Sequence, residues 1–277
     1  MATINLRDRV VVVTGGARGI GAATAAAFVR AGAKVAIGDV DIQQSERTAA
    51  AIGCWWGEVD VTDRASFAGF LDSLTGALGP LDVVVNNAGI MPVTPLLDET
   101  PESIQRQLGI NVAGVIYGTQ LAMERMAPRR SGHVVNVASA AGRLGFGGVS
   151  TYTATKFAVS GFTEAVALEA AATGIRFTTV YPGMVRTELS AGLPDHWLMR
   201  TCAPEVVAAG IVDAVHRGRR SVYVPRRLGP LIAVYGLLPA RARAAAMGLL
   251  GADHRMLDGD GDIRRNYDSR IGQRSPN

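Results

Sequence analysis

Lysine is almost missing from this chain. Of 28 basic residues only Lys34 and Lys156 are lysines, and the other 26 are arginine. Cysteine is equally sparse. Cys54 and Cys202 lie far apart and in no C-x-x-C spacing, which excludes a disulfide framework or a thiolate zinc site and reads as reduced thiols. His133, His196, His216 and His254 show no ligand spacing, so no metal is expected. Residues 1–9 contain no apolar core of a signal peptide, and the expected location is cytoplasmic. Charged residues are only 19% of the chain against 48% hydrophobic, which excludes intrinsic disorder. At 277 residues the chain can bury one large core.

Acidic charge is scarce at one end. The net charge of +4 divides unevenly: residues 217–277 hold 12 Arg and 5 Asp, whereas residues 1–216 are net negative. The basic character belongs to the C-terminal stretch. Aromatic interleaving and any nucleic-acid-binding module are absent from it, so nucleic acid is not an expected partner.

Apolar runs alternate with helical stretches almost without a break. Candidate strands are 10–14, 34–38, 54–59, 82–86, 133–138, 175–180 and 222–224. Runs such as VVVVT and DVVVN lack polar alternation, as parallel strands buried on both faces do. Candidate helices are 20–31, 42–52, 64–77, 101–127, 152–172 and 204–216, with Gly32 after the first and Pro101 and Pro204 near the starts of two others. The alternation predicts an α/β fold with a doubly wound, mostly parallel sheet of Rossmann type. Residues 1–225 form the expected nucleotide-binding and catalytic domain, and 226–277 a C-terminal extension.

The first strand runs directly into Thr14-Gly15-Gly16-Ala17-Arg18-Gly19-Ile20-Gly21. Glycines at 15, 19 and 21 permit a tight turn and close approach to a pyrophosphate at a helix N-terminus. Asp39 follows the second strand, 18 residues beyond Gly21. A carboxylate there accepts hydrogen bonds from both ribose hydroxyls and repels a 2′-phosphate, which favours NAD over NADP. Two readings compete. Asp39 can instead cap the following helix, although Asp41 can supply that cap, and Arg18 can meet a 2′-phosphate.

Tyr152 and Lys156 stand four apart in a predicted helix, on one face. A chain that otherwise uses arginine has a lysine one turn after a tyrosine. A tyrosine titrates near ~10, too high for a general base near neutrality, and an adjacent cation favours the phenolate. A fall of ~2–3 units needs roughly 3–4 kcal/mol, which a compact ammonium can supply.

Together these motifs resemble the short-chain dehydrogenase/reductase family over residues 8–224. The turn matches its T-G-x-x-x-G-x-G. Asp60-Val61 matches the pair that meets adenine, and Asn86-Asn87-Ala88-Gly89 matches its N-N-A-G. Asn111, Ser139 and Tyr152 with Lys156 fall at its catalytic positions, and Pro182-Gly183 with Val185 and Thr187 at the segment beside the nicotinamide. Ala138 stands where the family often has a first serine. The resemblance implies an oxidoreductase in which Tyr152 is the general acid or base. Ser139 bonds the substrate oxygen, Lys156 lowers the phenol pKa and holds the nicotinamide ribose, and Asn111 anchors a water. It also implies a homodimer or homotetramer built on small residues of two helices, Gly114, Gly118, Ala154, Ala158, Gly161 and Ala165. An NADP-dependent carbonyl reductase is the alternative. A non-catalytic nucleotide-binding protein is another, and its signature would be loss of Tyr152, Lys156 or Ser139.

The loops expected at the mouth, 90–97, 140–149 and 184–201, carry Ile90, Met91, Leu96, Leu144, Phe146, Met184, Leu189, Leu193, Trp197, Leu198 and Met199. Charges among them are few: Arg143, Arg186, Glu188, Asp195 and Arg200. An apolar alcohol or ketone of terpenoid, steroid or lipid type is the expected substrate. In the extension, the apolar run 228–240 is interrupted by Pro230 and Pro239 and is too short to span a bilayer. It suits a cover over a neighbouring subunit or the mouth, or a peripheral contact with anionic lipid through Arg226, Arg227, Arg241 and Arg243. The end beyond Asp258 reads as mobile or partner-bound. Its D-G-D-G-D is no calcium loop, because the twelfth position is Ser269.

Overall fold

The apolar runs without polar alternation become β1 (Val10–Thr14), β2 (Lys34–Asp39), β3 (Trp55–Glu58), β4 (Leu81–Asn86), β5 (Gly132–Val137), β6 (Ile175–Pro182) and β7 (Ser221–Val224). They form one parallel sheet of order β3-β2-β1-β4-β5-β6-β7. The structure, a computed structural model, describes residues 3–194, 201–249, 256–257 and 259–272. The strand order reverses between β1 and β4, so the crevice at their carboxyl ends is where such a sheet takes a ligand.

Helices α1 (Gly19–Arg30), α2 (Ile42–Ile52), α3 (Arg64–Leu78), α4 (Pro101–Leu108), α5 (Gly114–Met126), α6 (Ser150–Glu169) and α7 (Pro204–Arg217) cover the sheet. On one face Phe28, Ala49, Val207 and Ile211 pack on alternate strand residues such as Val11 and Val13. On the other, Phe67, Leu71, Leu121 and Val166 meet Val10, Val12 and Val84. Each strand is therefore apolar on both sides, which is why its sequence shows no alternation. Caps set the helix starts: Asp63 accepts from Ala65 N–H at 2.8 Å, and Thr100 from Ser103 N–H at 3.2 Å ahead of Pro101.

The expected helix 101–127 is not continuous. A π-helical turn, Gly109–Ala113, divides it and carries Asn111 inward. Gly114 and Gly118 also face inward. A Cβ on Gly114 would lie 2.9 Å from Val61, and one on Gly118 would lie 2.2 Å from the Asn86 side chain. They permit close packing on the chain's own strands and do not belong to an outer face. After β7 come α8 (Leu228–Leu237), α9 (Ala240–Leu249) and α10 (Gly261–Gly272).

His133 is 1% exposed on β5, and its Nε2 lies 2.7 Å from the Thr178 hydroxyl. Thr178 itself donates to the Arg219 carbonyl, so Nε2 carries the proton and the ring is neutral. Burial, with Arg176 nearby, pushes its pKa down to about 3. The unfolded ring takes up its proton near ~6.5, so the folded state loses ground as pH falls from there to about 3. Between those values the expected slope from this residue is about 1.4 kcal/mol per pH unit. Unfolding free energies of wild type and His133→Gln from urea titrations, followed across that range, should diverge in slope by this amount. Parallel curves would mean that His133 does not contribute.

Candidate active site

The crevice is built on the turn after β1. Gly15 and Gly19 have φ of 63° and 56°, a region that favours glycine. A Cβ on Gly21 would sit 2.0 Å from the Gly15 carbonyl oxygen. The turn is laced to the end of β4. The Thr14 hydroxyl accepts from the N–H groups of Asn87 and Ala88 at 3.1 and 3.2 Å, and the Asn87 amide donates to the Thr14 and Gly15 carbonyls at 2.9 and 3.1 Å.

At the end of β2, the Asp39 carboxylate accepts from the N–H groups of Ala17 and Asp41 at 3.2 and 3.0 Å. Asp41 caps α2, accepting from Gln44 N–H at 3.2 Å. The competing capping role of Asp39 is thereby filled by its neighbour. Arg18 is 2.8 Å from Asp41 and 3.6 Å from Glu188, so its charge is met from within the chain. The Asp60 carboxylate is held by the N–H and hydroxyl of Thr62 at 2.8 and 2.7 Å.

These groups open on one cleft of about 1080 Å³, larger than a single small-ligand pocket. Every residue expected to meet cofactor lines it except Gly21, which lies under the turn. Ser139, Tyr152 and Lys156 line it as well. Asn111 stands behind the wall, fully buried, with its amide bonded to both backbone groups of Ile90 at 2.9 Å and to the Thr155 hydroxyl at 3.1 Å. The turn that no Cβ could enter, the free helix N-terminus and the Asp39 carboxylate fit a dinucleotide.

Tyr152 is 7% exposed, and its phenol lies beside Ser139, whose Oγ accepts from Ala141 N–H at 3.1 Å. Lys156 is 4% exposed. Its Nζ donates to the Val137 carbonyl at 2.9 Å and lies 5.6 Å from the Tyr152 ring centroid. Burial pushes the Tyr152 pKa up to about 12, with Ser139 pulling the other way, and pushes Lys156 down to about 8. The lowering expected from Lys156 is not among the influences on the phenol in this arrangement, where burial dominates and the ammonium donates to the Val137 carbonyl.

The mouth is apolar, as expected, through Ile90, Met91, Phe146, Met184 and Leu189. Leu144 and Leu193 pack behind that wall. Leu96 does not join it: it sits 59% exposed on an outer turn, Leu96–Asp98. Arg143 turns away to the Tyr181 hydroxyl at 2.8 Å. Asp195, Trp197, Leu198, Met199 and Arg200 lie outside the described residues.

The final helix was missed. Instead of a mobile end, α10 roofs the cleft. Tyr267 is 6% exposed and its oxygen accepts from Met91 N–H at 3.0 Å. Arg264 donates to the carbonyls of Met91, Leu189 and Ala191. Arg270 pairs with Glu188, and Arg106 donates to the Ile271 carbonyl. Met256, Tyr267, Arg270 and Ile271 line the cleft. The one signal for this was Tyr267 and Ile271, four apart, a face too thin to stand out; Ile263, one turn earlier, is 53% exposed. Among the described residues no cluster of His, Cys, Asp and Glu could hold a metal, and no helix is long and apolar enough to cross a membrane.

Fold and cleft together define an α/β dinucleotide-binding protein with a buried Tyr and Lys beside a half-buried Ser at the sheet's carboxyl end. The sequence profile of short chain dehydrogenases matches residues 9–196. A 3-alpha-(or 20-beta)-hydroxysteroid dehydrogenase of Mycobacterium tuberculosis is 36% identical over 192 residues, which is 69% of this chain and 74% of that protein. A cis-4-hydroxycyclohexanecarboxylate dehydrogenase of Sinomonas cyclohexanicum is 41% identical over 193 residues, 68% of this chain and 77% of the other. A sorbitol dehydrogenase of Cereibacter sphaeroides is 38% identical over 198 residues, 70% of this chain and 74% of its own. The chain belongs to the short chain dehydrogenase family, whose members are NAD(P)-linked oxidoreductases.

Proposed function

We propose that the protein interconverts an apolar secondary alcohol and its ketone with NAD, using Tyr152 as general acid/base. The observation that carries this reading is the buried Tyr152 phenol beside Ser139, in the cleft that also holds the glycine turn and Asp39. When bound, the nicotinamide supplies the acceptor for the hydride lost from the carbinol carbon, or its donor in reverse. As phenolate, Tyr152 takes the alcohol proton as the C–H bond breaks, and as phenol it gives the proton back in the reduction. Ser139 donates to the substrate oxygen, where negative charge develops. Lys156, charged below about pH 8 and 5.6 Å from the ring centroid, favours that phenolate. Asn111 positions the Ile90 backbone, and with it the loop beside Lys156.

An apolar substrate is supported by Met91, Phe146, Met184 and Leu189 in the wall. Two of the relatives are named for a hydroxysteroid and for a hydroxycyclohexanecarboxylate. A cofactor-linked absorbance assay over steroid alcohols, cyclohexanols and sorbitol tests this. Ring alcohols should exceed sorbitol at least ~10-fold in kcat/KM, since each buried methylene in such a pocket contributes ~1 kcal/mol or more. Preference for sorbitol would overturn the apolar assignment.

NAD over NADP is supported by Asp39 being free of the capping role and Arg18 being paired. NAD should bind more tightly in a titration, and Asp39→Ala should narrow the gap about 10-fold or more, through loss of the carboxylate that faces a 2′-phosphate. Equal affinities in wild type would mean that Asp39 serves only the turn. We read the protein as a cytoplasmic homodimer or homotetramer. The face offered for pairing on α6 is Ala154, Ala158, Gly161 and Ala165, all exposed beside Phe157 and Leu168.

A further inference from the structure

We propose that α8 and the start of α9 form a docking face for an anionic lipid surface. Between Asp213 and Asp253 the chain has no acidic residue and seven arginines. Within that stretch α8, LGPLIAVYGL, is apolar on every side. A helix of that kind is ordinarily covered all round. Here only one side is covered: Leu228 and Ile232 pack with Ala140, Leu144 and Tyr223. The opposite stripe stands in solvent, with Leu231 43%, Val234 60% and Leu237 85% exposed.

Cations frame that stripe. Arg227 stands one turn before Leu231, and Arg241 and Arg243 open α9 just beyond Leu237; all three are exposed and make no ion pair among the described residues. Arg217 and Arg219, by contrast, are paired with Asp213. A short apolar stripe framed by unpaired arginines is the chemistry of a helix lying in the plane of an anionic interface. At ten residues α8 is about 15 Å long, which suits lying on a bilayer and not crossing it.

The charge selects lipid over a second copy of the chain. A two-fold contact through this face would set an acid-free, arginine-framed patch against itself. The face also neighbours the cleft, because Met247 of α9 packs with the cluster of Met91, Phe146 and Tyr152. An apolar substrate held in the bilayer would then lie beside the mouth. The lipid contact itself does not depend on the catalytic assignment.

The test is flotation of the full-length protein with vesicles of phosphatidylcholine alone, or of phosphatidylcholine with phosphatidylglycerol, at low and physiological salt. It should float with the anionic vesicles, less so as salt rises, and not with the neutral ones. Replacing Arg227, Arg241 and Arg243 by Gln should cut partitioning roughly 100-fold, at about fivefold per arginine. Leu231→Asp with Leu237→Asp should cut it at least ~10-fold. Circular dichroism melting should match wild type for both variants, since all five side chains are exposed. No flotation with anionic vesicles at low salt, or equal flotation of wild type and both variants, overturns the proposal. So does a wild-type oligomer that ignores vesicles but dissociates in light scattering when Leu231 and Leu237 are replaced; the occupant would then be a second copy.

Discussion

Replacing Tyr152 with Phe is expected to lower kcat by at least ~10²-fold and to leave NAD binding unchanged. General acid–base catalysis contributes on that scale, and the substitution removes one oxygen while keeping a ring that is 7% exposed in a tight site. The lost oxygen is the one that lies beside Ser139. Ser139 keeps its bond from Ala141 N–H, so the wall should hold its shape. Lys156→Arg should also fail. Nζ reaches the Val137 carbonyl at 2.9 Å inside a site 4% exposed, and a planar guanidinium cannot take that position without moving the wall. Isothermal titration with NAD, beside steady-state turnover, separates the two effects. A Tyr152→Phe enzyme with near-wild-type kcat would remove Tyr152 from the chemistry.

Truncation after residue 258 should reduce kcat/KM for an apolar substrate by about 10²-fold, since small displacements at a reacting centre cost this much. The deletion removes Arg264 from the carbonyls of Met91, Leu189 and Ala191, and Tyr267 from the Met91 N–H. It also removes the bond from Asp260 N–H to the Gly192 carbonyl at 2.8 Å. Two mouth loops, around Met91 and around residues 189–192, lose their common brace, and Tyr267 no longer screens the cleft from water. Tyr267→Ala should show a smaller loss in the same direction. Kinetics of the truncated protein equal to those of the full chain would mean that α10 packs on the cleft without shaping it.

The strands could be read to within a residue or two, because burial on both faces leaves uninterrupted valine runs that few other structures produce. The glycine turn was legible for a related reason: positive φ and a 2.0 Å clearance at Gly21 admit no other residue. Asn111 was legible as a residue but not as a placement. The π turn that carries it inward changes the hydrogen-bonding of five residues while leaving the helical periodicity of the sequence intact. Gly114 and Gly118 misled for the opposite reason. Small residues signal close approach without saying to what, and here the neighbours are Val61, Phe67 and Asn86 of the same chain.

Two features could not be derived from composition. The pKa values of Tyr152 and Lys156 depend on how completely each is buried, and burial acts on the phenol and the ammonium in opposite directions. The roof formed by α10 depends on contacts between residues some 175 positions apart, such as Met91 with Tyr267. No local periodicity encodes such a contact, and a helix that is mostly polar, with Asp262, Arg264, Arg265, Asp268 and Arg270, looks like a solvated tail until its docking site is seen. Charge was a better guide, since the arginine excess of residues 217–277 lies in the segment that carries α8 and its exposed apolar stripe.

The most direct test of the catalytic assignment is to follow a label from substrate to cofactor. A ring alcohol deuterated at the carbinol carbon is incubated with NAD and the protein, and the reduced cofactor is examined by mass spectrometry. The account predicts one deuterium in the reduced cofactor for each ketone formed, with the hydroxyl proton released to water through Tyr152 and the label transferred at least ~10²-fold more slowly when Tyr152 is Phe. Ketone formed with the deuterium in the solvent, or a protein that binds NAD and transfers no label from any alcohol tried, would contradict it.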